Sequence, residues 1–157
     1  MDIRKCSKGP FSVIGKEGCT DDGAGFIAKL WEEANGNFHE IEAMAKRDRD
    51  GNFAGFWGAM SDATRNFRPW EDGFSKGLYL AGAEVNDDAA APKGWVRWRI
   101  PSYEYLYVKA EADGSDTFSQ MLLYLEEQGL SLAGAVHEFI SPTENGQLYL
   151  FFPIRRL

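Results

Sequence analysis

Cysteine and histidine are scarce in this sequence, which has two of each among 157 residues. Cys6 and Cys19 form no CxxC pair, so we expect free thiols in a reducing compartment. His39 and His137 have no second histidine or cysteine at metal-ligand spacing. The chain also lacks a signal-peptide pattern and any apolar run near the ~20 residues that span a bilayer. These absences favour a cytoplasmic protein without a structural zinc site.

Basic residues are outnumbered as well, by 24 acids to 17 lysines and arginines, which gives a formal charge of -7 at pH 7. Such a charge repels phosphate backbones, so we do not expect direct nucleic-acid binding. The length predicts one domain, residues 1–157. The aromatic content of 14% exceeds what a core of this size needs. Surplus rings can line a cleft, although core packing would also account for them.

The common catalytic and cofactor motifs are missing. Neither G-x-S-x-G nor a Cys/His nucleophile pattern occurs. The string Asp22-Gly23-Ala24-Gly25 is only superficially like a dinucleotide fingerprint, because the strands after it favour hairpins over crossovers. The string Asp48-Arg49-Asp50-Gly51 opens like a calcium loop but lacks the distal glutamate, and we interpret it as a turn. We therefore predict no metal and no cofactor.

The hydrophobic period predicts the order strand, helix, strand, strand in the first half of the chain. The helix starts near the acids Asp21 and Asp22 and is interrupted at Asn35-Gly36-Asn37. The predicted ranges are 11–18 for the first strand, 21–34 for the helix, and 53–61 and 77–85 for the other two strands.

The same order returns after a connector at residues 86–94, which has acids, small residues and Pro92 but no apolar period. A strand over 95–111 breaks near Pro101, and a helix runs from Ser115 to Gly129. Strands over 132–140 and 147–154 form a hairpin. We predict an α+β fold with antiparallel strands and a pseudo-twofold duplication of a βαββ unit, in halves of about 1–88 and 93–157. A groove at the seam would suit a ligand, unless the duplication provides only a scaffold.

Glu138 is the residue that this pattern singles out. It lies in the apolar string 133–140, where a strand buried on both faces is otherwise expected. An unpaired carboxylate there should have a raised pKa and favour a cation or a proton-transfer role. The alternative is a structural pair with an arginine such as Arg97, Arg99 or Arg155.

Four further residues are weaker candidates. Glu84 lies close to a strand end, where exposure is expected more than burial. Tyr149 begins the last strand, opposite the Glu138 strand, and would place its ring over the same groove. Trp57 and Tyr79 lie on the matching strands of the first half. Each ring would also fit a core position.

With these features in place, the whole chain resembles the GyrI-like small-molecule-binding family, also described as the effector-binding domain of AraC-type and BmrR-type regulators. Each matching segment is degenerate alone, and the order and spacing of the segments make the likeness specific. The segments that carry it are 77–85 (GLYLAGAEV), 100–108 (IPSYEYLYV), 135–142 (AVHEFISP) and 147–154 (QLYLFFPI).

The resemblance implies two SH2-like βαββ units around a central cleft that takes small, often aromatic or cationic molecules. In multidrug-sensing members a buried glutamate on the penultimate strand faces the cationic ligand, and Glu138 matches that position. A tyrosine near the start of the last strand matches Tyr149, whereas Trp57 and Tyr79 are assigned by strand position only. We expect a standalone member, since the first strand leaves no room ahead of it for a helix-turn-helix.

Three functions follow from this resemblance. The leading hypothesis is a binding protein for a hydrophobic, cationic or aromatic small molecule, with Glu138 in an aromatic cleft. The second is a hydrolase of cyclopropane-bearing genotoxins, in which Glu138 activates water and Trp57 or Tyr149 orients the substrate. The third is a gyrase-inhibitor-like protein that contacts a topoisomerase or a regulator, although no acidic run is long enough to mimic DNA.

Overall fold

A single antiparallel sheet of eight strands runs through both halves of the chain in the computed structural model, which describes residues 1–157. The helices are α1 (Phe26–Asn37), the one-turn α2 (Glu71–Phe74) and α3 (Ser115–Glu127). None of them is long and apolar enough to cross a membrane. The predicted α+β class is confirmed. The strands are β1 (Arg4–Lys8), β2 (Phe11–Cys19), β3 (Phe56–Ser61), β4 (Leu78–Val85), β5 (Val96–Ile100), β6 (Tyr103–Lys109), β7 (His137–Ser141) and β8 (Gln147–Arg156).

The strand order, β1-β6-β8-β7-β3-β4-β2-β5, contains the predicted pseudo-twofold. The inner six strands form two units, β2-β4-β3 and β6-β8-β7, which meet where β3 pairs with β7. Each unit carries one long helix between its first two strands in the chain, α1 in the first and α3 in the second. The outer strands are exchanged, since β1 pairs with β6 of the second unit and β5 pairs with β2 of the first. This exchange ties the halves together at both edges of the sheet.

The first helix differs from its predicted bounds at both ends. Gly23 and Gly25 have φ values of 104° and 78°, a left-handed backbone that delays the helix until Phe26. At the other end the helix continues through Asn35 and Gly36, so the predicted interruption is wrong. The Asn37 side-chain Nδ2 donates a hydrogen bond to the Glu33 backbone carbonyl at 2.8 Å, which supports the last turn.

The strands of the second half also differ from prediction. The break at Pro101 is confirmed, because β5 ends at Ile100 and β6 starts at Tyr103. By contrast, β7 begins at His137 rather than at residue 132. The segment ahead of it is not part of the strand: the Ala133 amide still donates to Pro153 of β8 at 2.8 Å, but the Ala135 amide donates to the Phe67 carbonyl at 2.8 Å. The predicted hairpin is confirmed, since β7 and β8 pair antiparallel.

Alternation along the strands gives the sheet two distinct faces. Both long helices pack on one of them, the helix face, which carries Tyr79 and Ala81 beneath α1 and Leu106, Val108, Leu150 and Phe152 beneath α3. The other side is the opposite face, whose buried cluster consists of Phe11, Val13, Trp57, Ala59, Leu78, Leu80, Trp98 and Ile100. At the β3/β7 seam, Met60 and Glu138 of this face line a cavity together with residues of α3.

Candidate functional site

Glu138 lies at the seam of the two units, on β7, directly across from Gly58 of β3. Gly58 has no side chain, and this leaves room above the sheet at the seam. A Cβ atom at position 58 would overlap the Tyr79 hydroxyl and lie 2.6 Å from Glu138 Oε1. The glycine is therefore what allows a tyrosine of one unit to reach a carboxylate of the other.

A chain of hydrogen bonds fixes the Glu138 carboxylate from the first unit. The Trp31 indole N–H of α1 donates to the Tyr79 hydroxyl at 2.8 Å. The Tyr79 hydroxyl donates in turn to Glu138 Oε1 at 2.5 Å. Because Tyr79 is fully buried on β4, its ring cannot swing away and the direction of its hydroxyl is set. One carboxylate oxygen is thus held, and Glu138 also contributes to the wall of a cavity.

Burial dominates the electrostatics of this pair. It raises the pKa of Glu138 above its ordinary value, and the hydrogen bond from Tyr79 opposes that rise only in part. Burial, and then the neighbouring Glu138 charge, raise the pKa of Tyr79 well above its usual value. Tyr79 therefore stays protonated and acts as a donor to the carboxylate.

The arginines that were considered as structural partners of Glu138 lie elsewhere. Arg97 and Arg99 both donate to the Ser12 hydroxyl at 3.1 Å, and Arg99 also pairs with Asp87. Arg155 pairs with Glu104 at 3.0 Å. No lysine, arginine or histidine lies within 4.0 Å of the Glu138 carboxylate. The buried charge is therefore not neutralised by the protein.

Glu138 opens onto a cavity of about 350 Å³ on the helix face, which we call the seam cavity. Its walls contain no lysine or arginine and two acids, Glu138 and Asp113. Hydrogen bonds from the backbone and side chain of Ser115 lower the pKa of Asp113, which keeps it ionised. The cavity is lined by Met60, Pro69, Trp70, Phe74, Asp113, Gly114, Ser115, Phe118, Ser119, Val136, Glu138 and Leu150.

Three aromatic rings form much of the apolar wall. The Trp70 indole N–H donates to the Leu78 carbonyl at 2.9 Å, which fixes its orientation. Phe74 meets Phe118 of α3 edge-to-face, with ring centroids 5.2 Å apart. Phe74 belongs to the segment between β3 and β4, so this contact joins the two units beside the cavity. A cavity wall that contains both rings and a carboxylate suits an apolar cation, which gains from the ring faces and from the negative charge.

A buried aspartate organises the segment that carries Trp70 and Phe74. Burial opposes the Asp62 charge, but hydrogen bonds from Thr64, Arg68, Asn66 and Ser61 outweigh it and lower the pKa to about 2. Arg65 and Phe67, which lie within the stretch that these hydrogen bonds hold, have φ values of 58° and 59°, a costly conformation for residues with side chains. The ionised Asp62 thus supports a loop shape that the backbone alone would not favour.

The structure brings two of the four predicted site residues together and separates the others. Tyr79 and Glu138 are in direct contact. Trp57 lies on the opposite face, 2% exposed, and its indole N–H donates to Glu84 Oε1 at 3.1 Å. Tyr149 pairs with Phe139, whereas Glu138 pairs with Leu150, so Tyr149 also lies on the opposite face. The expectation that Tyr149 shares the groove of Glu138 is therefore wrong, because adjacent strand positions face opposite ways.

Glu84, expected to be exposed, is instead 4% exposed. The Lys8 and Lys46 ammonium groups lie 3.3 Å and 3.7 Å from its carboxylate. Its two lysine partners and the Trp57 indole satisfy the charge. Glu84 is therefore a paired structural acid, in contrast to Glu138.

Most residues of the cavity wall are not predictable from the sequence. Gly58 and Trp31 carry no signal that links them to Glu138, since their proximity depends on strand register and helix placement. Phe118 belongs to a recognised apolar stripe, which predicts only core packing. Trp70 and Phe74 lie in a segment without hydrophobic periodicity.

Known proteins that match this chain are found by comparison of structures and not by comparison of sequences. No protein-family model and no curated protein sequence matches the chain. The EcmrR C-terminal domain is similar with a TM-score of 0.66 and 13% identity, over 99% of this chain and 98% of that one. SAV2435, solved bound to tetraphenylphosphonium, is similar with a TM-score of 0.63 and 16% identity, over 99% and 94%. A hydrolase from Listeria innocua gives 0.54 and 12%, over 97% and 90%.

These TM-scores show a shared fold, consistent with the GyrI-like fold expected from the sequence. At 12–16% identity the likeness extends to the fold alone.

Proposed function

We propose that the protein binds lipophilic aromatic cations in the seam cavity, as an effector-binding domain does. The observation that carries this proposal is the Glu138 carboxylate, which has no cationic partner and faces a ring-lined cavity. A bound cation would supply the positive charge that no side chain of the protein provides to Glu138. The likeness to SAV2435, which was solved with tetraphenylphosphonium, supports the same class of ligand.

The energetics favour a cation over a neutral ligand of the same shape. Apolar substituents gain from contact with Trp70, Phe74 and Phe118, whatever their charge. The positive centre gains in addition from the buried Glu138 carboxylate, and less from Asp113, which is exposed and therefore screened by solvent. Discrimination between cation and neutral analogue therefore depends on the carboxylates.

Titration calorimetry with tetraphenylphosphonium tests the proposal. Glu138→Gln keeps the size of the side chain and an acceptor for Tyr79 but removes the charge. We expect it to weaken tetraphenylphosphonium binding about tenfold or more at neutral pH, since close charge pairs contribute roughly 1.5 kcal/mol or more.

Triphenylphosphine oxide, a neutral triaryl compound, is the matched ligand control. Its weaker affinity should be the same in both proteins, because only the rings hold it. Equal tetraphenylphosphonium affinity in wild type and Glu138→Gln would rule out the charge role.

The hydrolase alternative has less support from the geometry. A carboxylate with a raised pKa can act as a general base, and Glu138 meets that requirement. However, Trp57 and Tyr149, the rings expected to orient a substrate, lie on the opposite face of the sheet. Binding without catalysis is therefore the function that the seam cavity supports best.

A further inference from the structure

A second cavity, of about 620 Å³, lies on the opposite face and shares no lining residue with the seam cavity. It spans β6, β8 and β7, with the N-terminus of the chain at one side. Its lining residues are Asp2, Arg4, Tyr107, Lys109, Phe139, Glu144, Tyr149 and Phe151.

Four half-buried rings form the floor of this second cavity. Tyr107 stacks on Phe151 with a centroid separation of 5.0 Å and an interplanar angle of 8°. Tyr149 is tilted against Tyr107 at 6.4 Å and against Phe139 at 6.3 Å. The rings come from three neighbouring strands and each keeps part of its surface open to solvent. Because Tyr107 and Phe151 already stack on each other, Tyr149, which is tilted against both of its neighbours, is the ring best placed to take the flat face of an aromatic ligand.

The charged groups at the rim differ in the hydrogen bonds and ion pairs that they already make within the protein. Both acids have partners, since Asp2 accepts from Arg4 at 3.0 Å and Glu144 accepts from the Tyr149 hydroxyl at 2.8 Å. Glu144 keeps its negative charge, and the nearby Lys109 helps to lower its pKa, but the two form no ion pair within 4.0 Å. Because Arg4 directs only Nε and Nη2 at Asp2, the hydrogen-bond donors left to meet a ligand are the Lys109 ammonium and one nitrogen of Arg4.

We propose that the second cavity binds a flat aromatic molecule that carries one anionic group. The ring system stacks on Tyr149 and its neighbours, and the anion meets Lys109 and the free nitrogen of Arg4. Carboxylate, sulfonate and phosphate share this chemistry. The charge preference is opposite to that of the seam cavity, and the site gives Tyr149 a binding role away from Glu138.

Fluorescence titration with 1-pyrenesulfonate tests this site. We expect saturable binding that weakens about tenfold in Tyr149→Ala. The reason is that stacking of a flat aromatic system on one aromatic side chain contributes roughly 1–3 kcal/mol. Lys109→Gln should weaken binding several-fold, and Tyr149→Phe should retain it because the ring remains. 1-Pyrenylmethylammonium, which has the same ring and the opposite charge, should bind this site more weakly.

Two controls separate this proposal from the seam cavity. Glu138→Gln should leave pyrenesulfonate affinity unchanged, and excess tetraphenylphosphonium should not displace the dye. Inorganic phosphate alone should compete poorly, which would show that the ring is needed. Absence of saturable binding, or binding that Glu138→Gln alters and Tyr149→Ala does not, would overturn the second site without affecting the first.

Discussion

Gly58→Ala is expected to abolish high-affinity tetraphenylphosphonium binding and to lower the free energy of unfolding by about 2 kcal/mol. The new Cβ would overlap the Tyr79 hydroxyl and crowd Glu138 Oε1. The Tyr79 ring is fully buried, so relief requires a shift that breaks its contact with Glu138. Calorimetric titration and urea unfolding measure the two effects.

Gly36→Ala is the matched control for this substitution. Gly36 lies inside α1, and a Cβ there meets no atom within 4 Å. Alanine should therefore raise stability by roughly 0.5–1 kcal/mol through the usual helix preference, with binding unchanged. Wild-type cation affinity in a folded Gly58→Ala protein would show that the Tyr79–Glu138 contact is not needed for binding.

Glu138→Gln is expected to stabilise the protein at alkaline pH while it weakens cation binding. Burial raises the pKa of Glu138 in the folded state, so folding favours the protonated form. The stability from this group is therefore complete below the unfolded pKa and is lost as pH rises through the folded pKa. Glutamine is neutral throughout and keeps an acceptor for Tyr79.

Thermal melts of both proteins across pH measure this effect. The melting temperature of Glu138→Gln minus that of wild type should be small near about pH 4 and should grow towards about pH 8. Other titrating groups are common to both proteins and cancel in the difference. A difference that stays constant, or that shrinks as pH rises, would mean that the Glu138 charge is not penalised in the folded protein.

The order of strands and helices can be predicted from the sequence because it depends on local patterns of residues. Apolar periodicity predicts the strand-helix-strand-strand order twice, and Pro101 and Gly129 mark real boundaries. The strand β1 was missed, since RKCSK has no apolar alternation. Its pairing with β6 depends on residues about a hundred positions away, and no local pattern predicts an exchange of edge strands.

The site can be predicted only in part, because most of its contacts join residues that are distant in the sequence. Glu138 stands out because an acid in an apolar string is costly wherever the strand lies. Its partners depend on register, and a shift of one position on β8 moves a side chain from one face to the other. Tyr149 was therefore placed beside Glu138 by strand position and lies across the sheet from it.

The ionisation of Glu138 itself tests the central claim most directly. Carboxyl-carbon NMR on protein labelled at glutamate, with Glu138→Gln to assign the resonance, gives the pKa with and without tetraphenylphosphonium. We expect a raised pKa in the free protein and a marked decrease on saturation with the cation, as linkage requires. A Glu138 pKa that tetraphenylphosphonium leaves unchanged at saturation would contradict a cation site at this carboxylate.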